Sequence, residues 1–463
     1  MKLKTLTSAI LLSSFATTGA FAAALDRSGQ SIQSFLQPGN YVEAGVSLLD
    51  ANVSGKLNSD FSMPSSSPSL SQDIQGSNLG DMAESYHFYN AAFKAQMTDK
   101  LSFGLIYDQP FGANAKYSDK DTRFKPSGTN IGQLGNREIG AFTYGNEATN
   151  VEVDTKNLSF IFGFQPTKNW NIYAGPVYQV VSGKVNLHGA AYGPLGGVIC
   201  LSATSCSGTA NIKDGPTTTS RYTGYKAKID DNSSVGWLAG FAYQIPEIAL
   251  KASLTYRSEI SHSVMIEEQM PSNILMGTKV PLMNKGKYEI AETKIKTPQS
   301  LNLDFQTGIM ENTVAFAQLR WVDWSNFKIR PNKFGQLSSQ LTQTAAGTPR
   351  GFDLIAYEKD QISANVGVGR KFNDQWAGTV MVGWDSGAGN PVSTLGPTNG
   401  YWSVGLGGQY SPTPQSFIQA GVKYFALGDA KAQVASYFGT DITAAEFENN
   451  HAIGYSMKIG YKF

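Results

Sequence analysis

Few side chains in this sequence could support catalysis or bind a metal, and their spacing matches no known site. The four histidines lie far apart, and no HExxH, GxSxG or metal-ligand spacing is present. Asp385 and Ser386 place an acid beside a hydroxyl, as a hydrolase might require, but a turn that enters a loop accounts for this pair better. We therefore expect no enzyme activity, and no metal or redox cofactor.

The first residues predict export of the chain. Lys2 and Lys4 precede a short apolar run, residues 6–15, and Ala20-Phe21-Ala22 has the small-x-small pattern of a cleavage site. The run is shorter than the roughly 20 residues that a spanning helix needs, so an uncleaved anchor is the less favoured alternative. We expect a signal peptide over residues 1–22 and a mature chain outside the inner membrane.

The sequence contains two cysteines, Cys200 and Cys206, in a stretch rich in Gly, Ser and Thr. In an oxidising compartment, two thiols this close in a loop are expected to form one local disulfide; two free thiols are the alternative. Five residues separate them, so a CxxC redox site does not fit.

Composition excludes several other classes of protein. Charged residues make up 16% of the chain, below the roughly 25% of soluble domains, while 11% are aromatic and 48 are glycine. A disordered chain would have few aromatics and a large net charge. The 37 basic and 36 acidic residues leave no basic surplus for phosphates, so nucleic acid is not an expected partner.

Alternation with a period of two recurs along the mature chain. At the C-terminus Tyr455, Met457, Ile459 and Tyr461 alternate with small or polar residues, as in a β-strand with one apolar face. The same pattern predicts fourteen strands, at residues 41–50, 86–97, 101–117, 152–165, 170–187, 234–244, 248–260, 298–309, 313–328, 359–371, 375–385, 401–410, 416–427 and 451–463.

The connections between these strands are alternately short and long. Short turns on one side, long polar loops on the other and an even number of strands are typical of a bacterial outer-membrane barrel. The sequence therefore predicts an all-β, transmembrane antiparallel barrel over residues 41–463, located in the Gram-negative outer membrane. Aromatics near strand ends, such as Trp170, Trp324 and Trp402, would form its interfacial girdles. A secreted β-sandwich is the less favoured alternative, because its outward faces would be polar.

Several segments resemble the long-chain fatty acid transporters of Gram-negative outer membranes, the FadL/TodX family. They are residues 255–260 (TYRSEI), 297–301 (TPQSL), 321–327 (WVDWSNF) and the ending Tyr461-Lys462-Phe463. The resemblance implies a fourteen-stranded barrel, closed by a small N-terminal hatch, that carries hydrophobic molecules inward without an energy source. It also implies a kink in the third strand through which the ligand leaves sideways.

The third predicted strand contains Pro110, Phe111 and Gly112 at the position that corresponds to this kink. Proline removes a donor from the ladder and glycine permits a bulge, so both can interrupt strand pairing. Phe111 would then line the opening. A bulge at a strand end without function is the alternative from the residues alone, and the resemblance favours a lateral opening. Pro176 is a second candidate kink.

Three cations on strands are candidates for binding a ligand carboxylate: Lys251, Arg257 and Arg320. A charge in a partly dry lumen needs an opposite partner. The alternative partners are acids of the chain, such as Glu43, Asp304 and Glu259. Apolar loop segments 187–199 and 264–276 are expected to form an outer groove that captures the ligand.

The hatch departs from the family pattern. In the family it carries an Asn-Pro-Ala element, whereas this chain has Gln37-Pro38-Gly39 at the end of a short segment, residues 23–40. So short a segment predicts either a more open barrel or one filled by loops, and a wider range of hydrophobic ligands. A non-specific diffusion porin is the alternative function. Expected partners are a long-chain fatty acid or other hydrophobic ligand, outer-membrane lipid and lipopolysaccharide, and the barrel-assembly machinery during biogenesis.

Overall fold

The chain forms a closed antiparallel β-barrel in a computed structural model, which describes residues 25–60, 75–118, 138, 140–189, 191–192, 225–269, 274–275, 278–279, 289–436 and 441–463. Fourteen strands make up the wall, and the first strand pairs with both the second and the last, which closes the cylinder. Closure matters because lipid cannot satisfy the backbone groups of a free sheet edge. The predicted all-β barrel of fourteen strands is confirmed.

Each strand of the wall pairs with its neighbours in the sequence, and three of the strands are interrupted. The strands are β1 (Tyr41–Asn52), β2 (Tyr86–Gln96), β3 (Leu101–Asp108 and Gly112–Lys116), β4 (Asn150–Phe164), β5 (Trp170–Asn186), β6 (Lys226–Ile245), β7 (Leu250–Arg257 and Ile260–Gln269), β8 (Glu289–Thr297 and Ser300–Met310), β9 (Thr313–Val322), β10 (Gln361–Lys371), β11 (Trp376–Asp385), β12 (Tyr401–Tyr410), β13 (Ser416–Leu427) and β14 (His451–Lys462).

Side chains alternate between the two faces of the wall as the sequence predicts. In β14 Tyr455, Met457, Ile459 and Tyr461 are exposed on the outer face, where they meet lipid. Inward positions of the barrel carry buried polar residues, such as Glu43 of β1. An apolar outside and a polar inside are the arrangement expected of a barrel in a membrane.

Several of the expected strand boundaries are wrong. The predicted strand 234–244 begins earlier, because β6 starts at Lys226. The predicted strands 248–260 and 298–309 are longer, because β7 extends to Gln269 and β8 begins at Glu289. The predicted strand 313–328 is shorter, since β9 ends at Val322. Beyond this end Trp324 is fully buried and bonds to Gln361, so it does not belong to an interfacial girdle.

The long loops form a cap of their own over one end of the barrel. One helix, α1 (Asn332–Ala346), ends at Gly347 in the left-handed conformation, and its side chains Phe334 and Leu337 are buried in the cap core. No described helix has the length and apolar character needed to cross a membrane. The other pieces are a five-stranded sheet (Val392–Ser393, Ala430–Gln433, Ala445–Phe447, Ser54–Leu57, Asn78–Asp81), the short pairs Thr143–Tyr144 with Glu147–Ala148, Ile274–Leu275 with Thr278–Lys279 and Lys328–Ile329 with Ile355–Ala356, and, in the short β6–β7 turn, a 3₁₀ turn at Pro246–Ile248.

Pro176 interrupts pairing without bending β5 out of register. The β4–β5 ladder omits Gly175 and Pro176 and resumes in the same register, while both residues stay paired with β6. A Cβ at Gly175 would lie 1.7 Å from the carbonyl oxygen of Phe160, so β4 and β5 approach each other closely here.

Substitution of Gly175 by valine should therefore impair barrel assembly. Overpacking of this kind costs about 1–3 kcal/mol, so we expect the folded fraction after refolding in detergent to fall by about tenfold. Heat-modifiable gel mobility measures that fraction. Gly408→Val is the matched control, because a Cβ there meets no atom within 4 Å. An unchanged folded fraction for Gly175→Val would contradict this packing.

Candidate ligand path through the lumen and the wall

The wall is broken where the sequence predicts it. Strand β3 stops at Asp108 and resumes at Gly112, so that residues 109–111 stand opposite only residues 155–156 of β4. On the other side the β2–β3 ladder ends at the pair Ala91 and Tyr107. Among the described residues, Tyr86–Asn90 of β2 therefore have no ladder partner on β3.

Side chains and an N-terminal segment form hydrogen bonds with the backbone groups that the break leaves without ladder partners. The segment Leu25–Asn40, which we call the hatch segment, runs along it: the Arg27 amide donates to the carbonyl of Pro110 at 2.6 Å. The Gly112 amide donates in turn to the carbonyl of Leu25 at 2.8 Å. The Tyr89 amide donates to Oε1 of Gln109 at 2.7 Å. The hatch segment thus replaces part of the missing ladder.

Phe111 points away from lipid and into the barrel. It is only 3% exposed and packs edge-to-face on Trp324, with the ring centroids 5.4 Å apart. Its amide and carbonyl both bond to the hydroxyl of Thr155 at 2.8 Å. The expectation that Phe111 lines the opening stays a prediction; its position is on the inner side of the break.

A buried ion pair anchors the start of the hatch segment. Nε of Arg320 lies 2.6 Å from Oδ2 of Asp26, and both side chains are almost fully buried. Gln30 receives hydrogen bonds from Arg320 and from Ser300, each at 3.0 Å, and Asn302 donates to the carbonyl of Gly29. Arg320, which was a candidate for a ligand carboxylate, is thus occupied by the chain itself.

The remainder of the hatch segment crosses the lumen. Ile32, Phe35 and Leu36 are buried in a cluster with Ile161 and Tyr173 of the wall. Further along, the hydroxyl of Ser34 donates to Glu43 of β1, while Nζ of Lys251 donates to Gln33 at 3.1 Å. Although short, the segment spans from β9 to β1 by using polar contacts to several strands. The more open barrel that so short a segment predicts is therefore not found where the segment crosses the lumen.

Of the three candidate cations, Arg257 differs from the other two. Lys251 and Arg320 bond to the hatch segment, whereas Nη1 of Arg257 is buried and has no hydrogen-bond partner among the residues that the structure describes. Asp108 and Asp304 act on Arg257 electrostatically, but neither bonds to Nη1. A buried guanidinium whose Nη1 makes no hydrogen bond is costly, so this position suits an anionic group.

The acids named as alternative partners have other contacts. Glu43 lies 3.1 Å from Nζ of Lys458, Asp304 accepts from Gln318 at 2.9 Å, and Glu259 pairs with Lys296 on the exposed outer surface.

A cavity of about 60 Å³ lies behind the break, on the lumen side of β1, β2 and β3. Its lining is mixed: polar residues such as Glu43, Asn90 and Asp108 lie beside apolar residues such as Phe88 and Ile106. Lateral to this cavity, the wall between β2 and β3 lacks a ladder, so the cavity and the break together form a candidate path from the lumen to lipid.

Two expectations about the loops have different outcomes. Residues 264–269 do not belong to a capture loop, because Val264 and Ile266 are buried on the inner face of the extended β7. Cys200 and Cys206 lie outside the described residues, as does most of segment 187–199, so their disulfide and that half of the groove stay predictions.

Sequence reasoning missed the partners of the site. Asp26, Gln30 and Trp324 make decisive contacts, but each contact joins residues far apart in the chain, 294 residues in the case of Asp26 and Arg320. The only signal available was an isolated acid in the hatch segment, opposite an inward arginine without an obvious partner on its own strand.

Substitution Asp26→Asn should release the hatch segment. It leaves Arg320 buried without its anion, and breaking such a pair costs about 3–5 kcal/mol. We expect amides of residues 25–36 to exchange with deuterium at least about 100-fold faster, as measured by mass spectrometry. Glu259→Gln is the control, because its partner Lys296 is exposed and such pairs contribute at most about 1 kcal/mol. Equal protection in Asp26→Asn and wild type would contradict the anchoring role.

Several solved structures share this architecture. Among solved structures, a Pseudomonas aeruginosa FadL homologue superposes with a TM-score of 0.63 at 14% identity, covering 98% of each chain. The Pseudomonas putida toluene transporter TodX gives 0.55 at 13% identity over 97% of each chain, and the Ralstonia pickettii toluene transporter TbuX gives 0.53 at 11% over 98%. At these identities the likeness shows the fold alone.

The sequence itself matches the family as well. No curated protein sequence matches the chain. The profile of the outer membrane protein transport family (OMPP1/FadL/TodX), however, matches residues 129–463, which include most of the barrel. The chain therefore belongs to the OMPP1/FadL/TodX family and is a β-barrel transport protein of the outer membrane.

Proposed function

We propose that this protein carries long-chain fatty acids or similar hydrophobic molecules from the outside into the outer membrane, and that the ligand leaves sideways through the break in β3. The observation that carries the proposal is the interrupted β2–β3 ladder, which opens from a lumen cavity and is closed by the hatch segment. Membership of a transport family is consistent with it.

Energetics favour a lateral exit for such a ligand. Release of an alkyl chain into water costs about 0.8 kcal/mol for each CH₂ group. Passage between two strands into the acyl layer avoids this cost, because the chain goes from one apolar environment to another. A path straight through the barrel would have to cross the polar residues around the hatch segment, including Asp26, Gln30 and Glu43.

Gating in this proposal is a displacement of residues 25–28. Arg27 blocks the break from inside: its guanidinium stacks on the ring of Tyr86 at 4.0 Å and lies 3.4 Å from Asp154. A Cβ at Gly112 would come within 2.2 Å of the same guanidinium, so a larger residue there would displace Arg27 from the break. A ligand that reaches the cavity from the lumen would compete with these contacts and open the path.

The range of ligands can include molecules smaller than fatty acids. The structural relatives include proteins described as toluene transporters and monoaromatic hydrocarbon channels. Phe111, Trp324, Phe327 and Tyr357 form an aromatic cluster inside the break, which would accept either a flat ring or an alkyl chain. The proposal also includes contact with outer-membrane lipid and lipopolysaccharide, and transient binding to the barrel-assembly machinery.

A non-specific diffusion porin is the second candidate function. The polar residues in the lining of the cavity, such as Glu43, Asn90 and Asp108, favour it, because small hydrophilic solutes would wet such groups. Against it stands the hatch segment, which crosses the lumen with buried contacts to several strands.

An enzyme is the least favoured candidate. Asp385 accepts hydrogen bonds from Gln361 and from the Gly387 amide, while Ser386 accepts from the Ile362 amide and donates to the carbonyl of Gly387. These contacts fix a turn, as expected, and they leave the serine without a base among the described residues. We infer that the chain is a carrier and has no catalytic activity.

Tethering β2 to β3 across the break should abolish uptake. In a background with Cys200→Ser and Cys206→Ser, the pair Tyr89→Cys and Gln109→Cys would be joined by a short cleavable bis-thiosulfonate. We expect uptake of hexadecanoic acid into lipid vesicles carrying the barrel to fall at least about tenfold, and to recover on reduction, because the exit is closed.

The control for this tether lies lower on the same two strands. Phe93→Cys and Leu105→Cys are register partners in the continuous part of the ladder, so their tether should leave uptake unchanged. Normal uptake with the Tyr89–Gln109 tether in place would refute exit at this break.

Electrical conductance separates the carrier from the porin. Because the hatch segment crosses the lumen, we expect the wild-type barrel to be nearly silent in planar bilayers. Deletion of residues 25–36 should produce a large steady current while the fourteen strands remain. A large steady current through the wild-type barrel would instead support the porin.

A further inference from the structure

A second stretch of the wall lacks its ladder, between β6 and β7. These strands pair from Leu238 with Arg257 down to the short turn, and again from Ile229 with Ile266 upwards, in the same register. Between these two stretches, residues 230–237 and 258–265 share no ladder pair. We call this region the β6–β7 seam. Unpaired strand edges are costly in lipid, so other groups of the protein must satisfy the backbone at the seam.

At the lower end of the seam the Ser258 amide donates to the carbonyl of Trp237 at 3.0 Å; above it, side chains hold the seam together in place of backbone pairs. The hydroxyl of Ser234 donates to the carbonyl of Ser261 at 2.7 Å, and Nδ2 of Asn232 donates to the carbonyl of Ser263 at 3.0 Å. The Trp237 amide donates to the hydroxyl of Ser258 at 3.0 Å. The two strands are thus separated by the length of a short side chain. Each of these bonds contributes only about 1 kcal/mol, so the seam is a weak part of the wall.

Strand β7 and its next neighbour β8 are both interrupted at the lower end of the seam, whereas β6 is continuous. β7 breaks at residues 258–259 and β8 breaks opposite, at residues 298–299, where Pro298 has no amide to donate. These breaks fall within the segments 255–260 and 297–301 that carry the family resemblance, and the lateral exit at β3 gives them no role.

A separate small cavity of about 10 Å³, room for about one water molecule, lies directly inside the seam, so a ligand chain needs the two strands to part. Its apolar lining includes Phe111, Val177, Trp237, Ile260 and Pro298, and Arg257 contributes the charge. Trp237 is 50% exposed and faces lipid, whereas Ile260 is buried against Gly236, where a Cβ would lie 2.5 Å from its Cγ1. An apolar route therefore leads from lipid, past Trp237 and Ile260, to a buried guanidinium.

Arg257 is the unusual component of this cavity. Its side chain is 6% exposed, and Nη1 has no hydrogen-bond partner among the described residues. Buried guanidinium groups are normally paired with carboxylates, often through two hydrogen bonds. The carboxylates of Asp108 and Asp304 act on Arg257 electrostatically, but neither bonds to Nη1. The polar groups beside it, Asn157, Gln179 and Thr297, are neutral and already bond to one another or to His262.

We propose that the β6–β7 seam is a second lateral opening, which binds a single-chain amphiphile with its carboxylate on Nη1 of Arg257 and its alkyl chain between Trp237 and Ile260, pointing into lipid. The geometry fits this chemistry because the charge is at the inner end of an apolar route. A phospholipid, with two chains and a phosphate, is wider than a seam bridged by single serine side chains.

Photo-crosslinking in nanodiscs of phosphatidylcholine tests this site. The probe is hexadecanoic acid with a diazirine in the first few carbons after the carboxylate, and labelled peptides are identified by mass spectrometry. We expect adducts on peptides that contain Trp237 or Ile260, reduced at least about tenfold in Arg257→Gln and for the methyl ester of the probe, since both remove the charge-assisted bond. Arg257→Lys should retain part of the labelling.

Tethering the strands gives a test that keeps Arg257 in place. Ser234→Cys with Ser261→Cys, joined by a cleavable bis-thiosulfonate in the background without native cysteines, should block labelling until the tether is reduced. Phe241→Cys with Leu254→Cys is the control, because these residues are partners in the continuous ladder below the seam. Labelling that the tethered seam does not reduce would overturn the proposal.

A further experiment distinguishes a probe that enters the seam from the bilayer from one that arrives through the β3 break. Labelling of the seam should persist when Tyr89→Cys and Gln109→Cys are tethered and the probe is supplied in the nanodisc lipid, since the site then fills from the bilayer. Loss of seam labelling under this condition would show that the ligand arrives only through the β3 break, and would refute an independent opening. Seam labelling without transport would leave this site in place while refuting the proposed uptake.

Discussion

The need to satisfy every backbone group in lipid determines how this barrel can be opened. A closed ladder of fourteen strands meets that need everywhere except at a few interruptions, and each interruption uses substitutes. At β3 the hatch segment supplies backbone partners through Leu25 and Arg27, and Gln109 supplies a side-chain oxygen. At the β6–β7 seam, serine and asparagine side chains do the same. Replaceable partners of this kind can separate without breaking the rest of the wall.

The hatch segment connects closure of the lumen with closure of the wall. Its first residues bond to Pro110 and Gly112, and the ion pair of Asp26 with Arg320 fixes them to the opposite side of the barrel. Its later residues pack against the wall through Ile32 and Phe35. A buried ion pair adds less to stability than its distance suggests, but it fixes geometry, because either partner alone would be strongly unfavourable. Movement at one end of the hatch segment is therefore expected to shift its other end as well.

Much of the barrel could be predicted from the sequence, because a period of two along a strand that meets lipid is a direct physical signal. Pro110 and Gly112 likewise mark the break, since both residues act on the backbone locally. The sequence predicts a loop for the extension of β7, because serines occupy its lipid face. Its inward residues Ile260, His262, Val264 and Ile266 nevertheless recur with a period of two. The path of the hatch segment has no periodicity, and its partners lie hundreds of residues away, so no local pattern could reveal it.

In the proposed mechanism the hatch segment closes both the lumen and the β3 break, and a hydrophobic ligand displaces it. Hydrogen–deuterium exchange of the wild-type barrel in nanodiscs, with and without saturating hexadecanoic acid, tests this directly on the peptides that contain residues 25–36 and 109–116. We expect the ligand to raise exchange in both peptides together, because they share hydrogen bonds. Unchanged exchange in both, or a rise in only one of them, would contradict it.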